Sequence, residues 1–212
     1  MSRFSKLAAL GLAAGLLGAM VSGCTLLRGG GATTPPGTVT VTVTDTSTPE
    51  LSAVFAQLTD SFTFASGAGG WSTTVKIAAD GSFTGQYNDT DMGDTGPGYP
   101  NGTRYICLFS GHFMVTAQVD QYEYALELVD ISQQGTPDDT TIESDGYRYI
   151  VSTPYGFDDA QAFSLYAPGH PVSSLPGGFV DWLRQPQMLP DDATTLPFWG
   201  LYNIAGDDGF FG

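Results

Sequence analysis

From residue 61 onward, hydrophobic and polar side chains alternate with a period of two, broken by short Gly-, Pro- and Asp-rich stretches. That is the pattern of half-buried strands. Phe62 and Phe64 alternate with Ser61 and Thr63, and Trp71, Thr73, Val75 and Ile77 alternate with Ser72, Thr74 and Lys76. Asp80-Gly81 reads as a hairpin turn that leads into Phe83, Gly85 and Tyr87 on one face. Further strands are predicted at 104–116, 122–131 and 146–152. In the second of these Tyr122, Tyr124, Leu126 and Leu128 face one way and Glu123 and Glu127 the other, as in a sheet packed on one side and wet on the other.

Helical spacing occurs in only a few places. Thr48 suits a cap, Pro49 a first helical position, and Leu51, Val54, Phe55 and Leu58 follow at i, i+3, i+4 and i+7, so a short helix ending near residue 60 is expected. Asp158 would cap a second short helix over 158–163. Leu175, Phe179, Trp182 and Leu183 predict a third, stopping before Pro186. The aromatic tail 196–204 reads as a last strand. Six or more short antiparallel strands with a few small helices make the expected fold mainly β: a curved antiparallel sheet or a barrel. The alternative is an open sheet covered by the Phe179 helix.

The first 60 residues follow other rules. Arg3 and Lys6 precede an apolar run over 7–21, which is shorter than the roughly 20 residues needed to span a bilayer as a helix. A basic start and a short apolar core read as a secretory signal. The run ends in Val21-Ser22-Gly23-Cys24, which resembles the lipobox of bacterial lipoproteins. In that family the cysteine thiol takes a diacylglyceryl group and a peptidase then cuts just before it. The resemblance makes 1–23 a signal peptide and Cys24 a lipidated N-terminus, and two or more acyl chains make such an anchor durable. Residues 24–48 then read as a tether, with Gly29-Gly30-Gly31 and Pro35-Pro36-Gly37 ahead of a Thr-Val alternation. That alternation also suits an edge strand. Residues 49–212 form the single β-rich domain.

Charge narrows the partners. The leader carries two of the seven basic residues and none of the 22 acids, which leaves five against 22, a formal charge of −17. Such a surface repels polyanions, so no nucleic-acid partner is expected. Of the two cysteines, Cys24 is committed to lipid. Cys107 lies in Tyr105-Ile106-Cys107-Leu108-Phe109, a buried-strand pattern that makes it a small hydrophobe without a disulfide partner.

Candidate chemistry is sparse. His112 and His170 are the only histidines, with His112 on a strand face shared with Ser110 and Met114 and His170 in a Pro-Gly-His-Pro turn. No Gly-x-Ser-x-Gly elbow or His-Glu-x-x-His is present, so no catalytic residue is assigned. Asp89, Asp91 and Asp94 could supply hard oxygen ligands for Ca²⁺, although the spacing fails the EF-hand pattern and a solvated turn explains the same residues. Tyr99, Tyr105, Tyr147, Tyr149 and Trp199 are the candidate ligand-binding aromatics.

Ser66-Gly67-Ala68-Gly69-Gly70-Trp71, Tyr99-Pro100-Asn101-Gly102-Thr103, Asp145-Gly146-Tyr147-Arg148-Tyr149-Ile150 and Leu196-Pro197-Phe198-Trp199-Gly200-Leu201-Tyr202 are similar to segments of a group of Gram-positive lipoproteins to which no activity is attached. Gly69-x-Trp71 also resembles the lipocalin signature, which implies a calycin-like barrel. The expectation is a module held by lipid at the extracytoplasmic face of the cell membrane, binding a small molecule, glycan or protein without catalysis. A cell-envelope hydrolase and a structural subunit of an envelope complex are the alternatives.

Overall fold

The computed structural model describes residues 51–58 and 61–212. Ten strands follow one another: β1 (Phe62–Ala65), β2 (Trp71–Ile77), β3 (Ser82–Asp91), β4 (Thr103–Gln118), β5 (Glu123–Gln133), β6 (Thr140–Ile142), β7 (Arg148–Val151), β8 (Ala162–Tyr166), β9 (Gly200–Asn203) and β10 (Asp208–Phe211). The sheet closes on itself. Around the ring the order is β1, β2, β3, β4, β5, β8, β9, β10, each antiparallel to the next, and β10 returns to β1 with Thr63 opposite Phe211. This is the up-and-down order of a calycin-like barrel, and closure removes the sheet edges that an open sheet would expose. The β6–β7 hairpin lies outside the ring, with β7 parallel to the start of β4 from Thr103 opposite Arg148 to Ile106 opposite Val151.

Several expected elements shift. In the described residues the first helix is present: Leu51 and Ser52 are helical and continue as a 3-10 stretch over Ala53–Gln57, which buries Val54 and Phe55. The helix expected over 158–163 is absent: the chain turns there and enters β8. The expected last strand is the shorter β9, and a further strand, β10, follows it. The physical reason is common to both regions. β8 from Phe163 onward and all of β9 are buried on both faces, so neither shows the regularly wet face that marks a half-buried strand.

What covers the second face is α1 (Gly177–Arg184), the expected Phe179 helix, packed on the outside of the barrel. Phe179, Val180 and Leu183 meet Tyr166 and Tyr202 there. The strands present glycine where the helix crosses: a Cβ at Gly200 would lie 2.4 Å from the Phe179 ring, and one at Gly209 would lie 2.9 Å from the same ring. The helix approaches closely because those positions carry no side chain.

The lumen of the barrel is filled. Phe64, Val75, Phe83, Phe109, Phe113, Leu126, Phe163, Leu165, Leu201 and Phe210 point inward and are buried. At roughly 1.5–3 kcal/mol for each large apolar side chain fully buried, this is the dominant stabilising element of the domain. One of the buried rings comes from a loop. Phe157, between β7 and β8, inserts among Phe83, Phe109, Phe113, Phe163 and Phe210, with ring centroids 5.1–6.3 Å away. Gly156 precedes it at φ 90°, a backbone state that favours glycine, with Phe210 and Phe64 too close for a Cβ. Asn203, fully buried on β9, holds both sides of this plug through Nδ2, which donates to the carbonyls of Gly156 (3.1 Å) and Asp158 (3.3 Å).

The same Asn203 amide also meets the Asp208 carboxylate at 3.4 Å. Asp208 is 8 % exposed, and burial, together with the nearby charges of Asp158 and Asp207, pushes its pKa up to about 6 from 3.8. A carboxyl with a raised folded-state pKa holds its proton more tightly folded than unfolded. Its stabilising contribution is therefore full below about 3.8 and is lost as pH rises through about 6. Asp208→Asn keeps an acceptor for Asn203 without the charge. The variant is expected to gain about 1–2 kcal/mol at pH 8 and to lose this residue's share of the fall in stability between pH 4 and pH 7, read from urea unfolding at each pH.

Candidate functional site

A strand pairing places directly opposed residues on the same side of the sheet. In β2, β3 and β4 the inward set is Val75, Gly85 and Phe109 with their alternates. The outward set runs Lys76 opposite Thr84 and Thr84 opposite Ser110. One step along, Ser82 of β3 lies opposite His112 of β4, which lies opposite Asp130 of β5. These residues line an outer-wall cleft of about 510 Å³, bounded by Lys76, Ser82, Thr84, Ser110, His112 and Asp130. A second cleft of about 330 Å³ shares Thr84 and Ser110 with it and continues to Ser132, Gln133 and Gln134, so the two form one trough.

The side chains that could reach a ligand here are not used by the protein itself. Lys76, His112 and Asp130 make no side-chain hydrogen bond or ion pair among the described residues. Asp80, at the hairpin next to the cleft, accepts from the backbone N–H (3.0 Å) and the hydroxyl (2.6 Å) of Ser82, which hold its carboxyl below the usual range. That bond bears on the chemistry of the row. Ser82, His112 and Asp130 are residue types of a nucleophilic triad and stand side by side on three strands. The Ser82 hydroxyl, however, donates to Asp80 and not to His112, and His112 bonds neither neighbour. The row presents donors and acceptors on one face, with Ser82 bonded to Asp80 and not to His112.

The aromatic candidates fall into different places. Tyr147 and Tyr149 flank Arg104, whose guanidinium lies 3.8 Å from the Tyr147 ring centre and donates from Nη1 to the Tyr149 hydroxyl at 2.9 Å. Tyr149 in turn donates to Asp145 at 2.7 Å. Tyr99 lies on the other side of β7, where the Arg148 guanidinium stacks on its ring at 4.5 Å and donates to its hydroxyl at 3.1 Å. Tyr105 and Trp199 pack against the core and join neither group.

Asp89, Asp91 and Asp94 do not converge. Asp89 accepts from the backbone of Thr90, and beside it the buried Tyr87 hydroxyl is pushed up to about 12, chiefly by burial. Asp91 accepts from the backbone N–H groups of Gly93 (2.8 Å) and Asp94 (3.2 Å). Asp94 pairs with Arg148. Among the described residues no three His, Cys, Asp or Glu side chains gather to hold a metal ion. Calcium chelation by these three therefore gains no support from their positions.

Arg148 is the centre of a structural knot: besides Asp94 and Tyr99, its Nε donates to the buried Thr103 hydroxyl at 3.0 Å. It ties the loop at 93–102 and the β6–β7 hairpin to the barrel. Arg148→Met is expected to cost about 1–3 kcal/mol, because it leaves Asp94 and Thr103 without their donor. A lowered urea midpoint with an unchanged far-ultraviolet spectrum is the measurement.

His170 is buried (3 % exposed), with Nδ1 at 3.0 Å from the Pro171 carbonyl and its ring 5.1 Å from Tyr166. It is an interior residue although it lies in a turn. Cys107 is buried in the lumen, and burial raises its thiol pKa. No known family model, curated protein or solved structure matches the chain. Function is therefore argued from the geometry.

Proposed function

We propose that the protein is a lipid-anchored extracytoplasmic module that binds a polar ligand on the outer wall of its barrel. The anchor is Cys24, which lies outside the described residues. One observation carries the binding reading: Lys76, His112 and Asp130 line a cleft and make no side-chain hydrogen bond or ion pair among the described residues. Polar groups held in a concave surface without internal partners are available to a ligand, and the flanking hydroxyls of Ser82, Thr84 and Ser110 add both donors and acceptors. The lumen, packed with phenylalanine, supports no comparable site.

Calorimetric titration with neutral and charged oligosaccharides and short peptides tests this. A ligand that binds the wild type is expected to lose about tenfold or more in affinity to Lys76→Ala combined with His112→Ala, with thermal stability unchanged, since losing several polar contacts costs well over 1 kcal/mol. Binding that survives the double substitution would move the site elsewhere.

The in-register Ser82, His112 and Asp130 support a second reading, a hydrolase. Its test is labelling by a fluorophosphonate. A covalent adduct on Ser82 would establish an activated serine and displace the binding reading, and an unlabelled Ser82 leaves binding in place.

A further inference from the structure

We propose that the outward face of β2, β3 and β4 recognises an acidic glycan, an extended hydroxyl-rich chain bearing carboxylates, laid along the strands between Lys76 and Arg104. This inference rests on the outer-wall reading above and adds the class of ligand.

The argument is one of charge placement. The mature chain carries 22 acids against five Lys and Arg, so an even distribution would put carboxylates on every face. Where these three strands pair, three positions on β2, five on β3 and five on β4 point outward, and none is acidic. The same face carries Lys76, Arg104 and His112. The boundary is sharp, because the next strand, β5, turns Glu123, Glu127 and Asp130 outward. An acid-free face bearing two fixed cations on a strongly acidic domain attracts anions locally while the rest of the surface repels them.

The geometry asks for length. Lys76 stands opposite Thr84 and Arg104 opposite Thr90, six residues apart on β3, which is roughly 20 Å at strand rise. A single small anion cannot reach both. The positions between are hydroxyls and amides, among them Thr84, Gln86, Asn88 and Ser110, suited to a ligand that both donates and accepts. Leu108, 42 % exposed, supplies an apolar spot for the C–H face of a sugar ring. Both cations are available. Lys76 makes no side-chain hydrogen bond or ion pair among the described residues, and Arg104 is held flat against Tyr147 by the Tyr149 hydroxyl, with the Asp145 carboxylate on the far side of that hydroxyl and not in direct contact with the guanidinium. Stacking fixes the orientation of the planar guanidinium, whose remaining N–H donors can take a carboxylate through two bonds.

The test titrates the full-length protein with oligogalacturonate, with maltooligosaccharide of matched length and with inorganic polyphosphate. Oligogalacturonate is expected to bind best and to weaken as salt is raised. Lys76→Gln and Arg104→Gln are each expected to weaken it roughly two- to fivefold, and Asp130→Asn to strengthen it by a similar factor. Thermal unfolding of each variant checks that the fold is intact. Maltooligosaccharide binding equally well, with both charge variants indifferent, would overturn the acidic-glycan inference while leaving the outer-wall site standing. Polyphosphate binding as tightly as the uronate would also overturn it, because charge alone would then suffice. Binding of neither glycan overturns the inference outright, and the outer-wall reading is then judged on its own double substitution.

Discussion

Phe157→Ala is expected to cost about 3–5 kcal/mol, a large share of the roughly 5–15 kcal/mol of an ordinary domain. The residue lies on a loop, where a substitution to alanine is usually mild, so the size of the effect tests the architecture directly. Its ring occupies the lumen and contacts five other phenylalanines from β3, β4, β8 and β10. Those rings belong to strands of a closed sheet and cannot collapse freely into the space left behind, so the lost contacts are added to the cost of a cavity. The new cavity is apolar, and such cavities stay dry and accept small aromatic molecules. Benzene is therefore expected to raise the melting temperature of the variant and not of the wild type. A loss below about 1 kcal/mol would mean that Phe157 is not a plug and that the lumen is open.

Cys24→Ser is expected to abolish membrane attachment altogether. Lipid is the only anchor proposed, and no helix among the described residues is long and apolar enough to cross a membrane. Serine keeps the size and polarity of the site but offers no thiolate for acyl transfer. Metabolic labelling with an alkynyl fatty acid should mark the wild type and not the variant, which should leave the membrane fraction. Cys107→Ser is the matched control and should label like the wild type, since Cys107 is 1 % exposed and its thiol is held protonated by burial. A labelled Cys24→Ser protein would remove the anchoring proposal.

The strands that alternate were legible before any coordinates. Trp71 to Ile77 and Phe83 to Tyr87 each alternate between the two faces of the sheet, and the Asp80-Gly81 turn between them marks the hairpin that pairs them. β9 lies within the expected last strand, whereas β8 reads as a helix and β10 goes unseen because α1 covers faces that would otherwise be polar. Phe157 was invisible as a core residue, since nothing local distinguishes a loop phenylalanine that enters a lumen from one that does not. Residue type alone does not distinguish the candidate aromatics: Tyr147 and Tyr149 meet an arginine, while Tyr105 and Trp199 turn to the core. His112 was visible as a strand histidine sharing a face with Ser110. Its neighbours Ser82 and Asp130 come from other strands, and their alignment depends on registers shifted by bulges in the β4–β5 pairing, between His112 and Phe113 and between Val115 and Ala117.

The central claim is that the barrel is packed inside and reads its ligand on the outer wall. Amide and methyl chemical-shift mapping during titration with oligogalacturonate tests it most directly. The account predicts shifts at Lys76, Thr84, Ser110 and His112, with the methyls of Val75, Leu165 and Leu201 in the lumen unmoved. Shifts concentrated on those inner methyls, with the outer face silent, would contradict it.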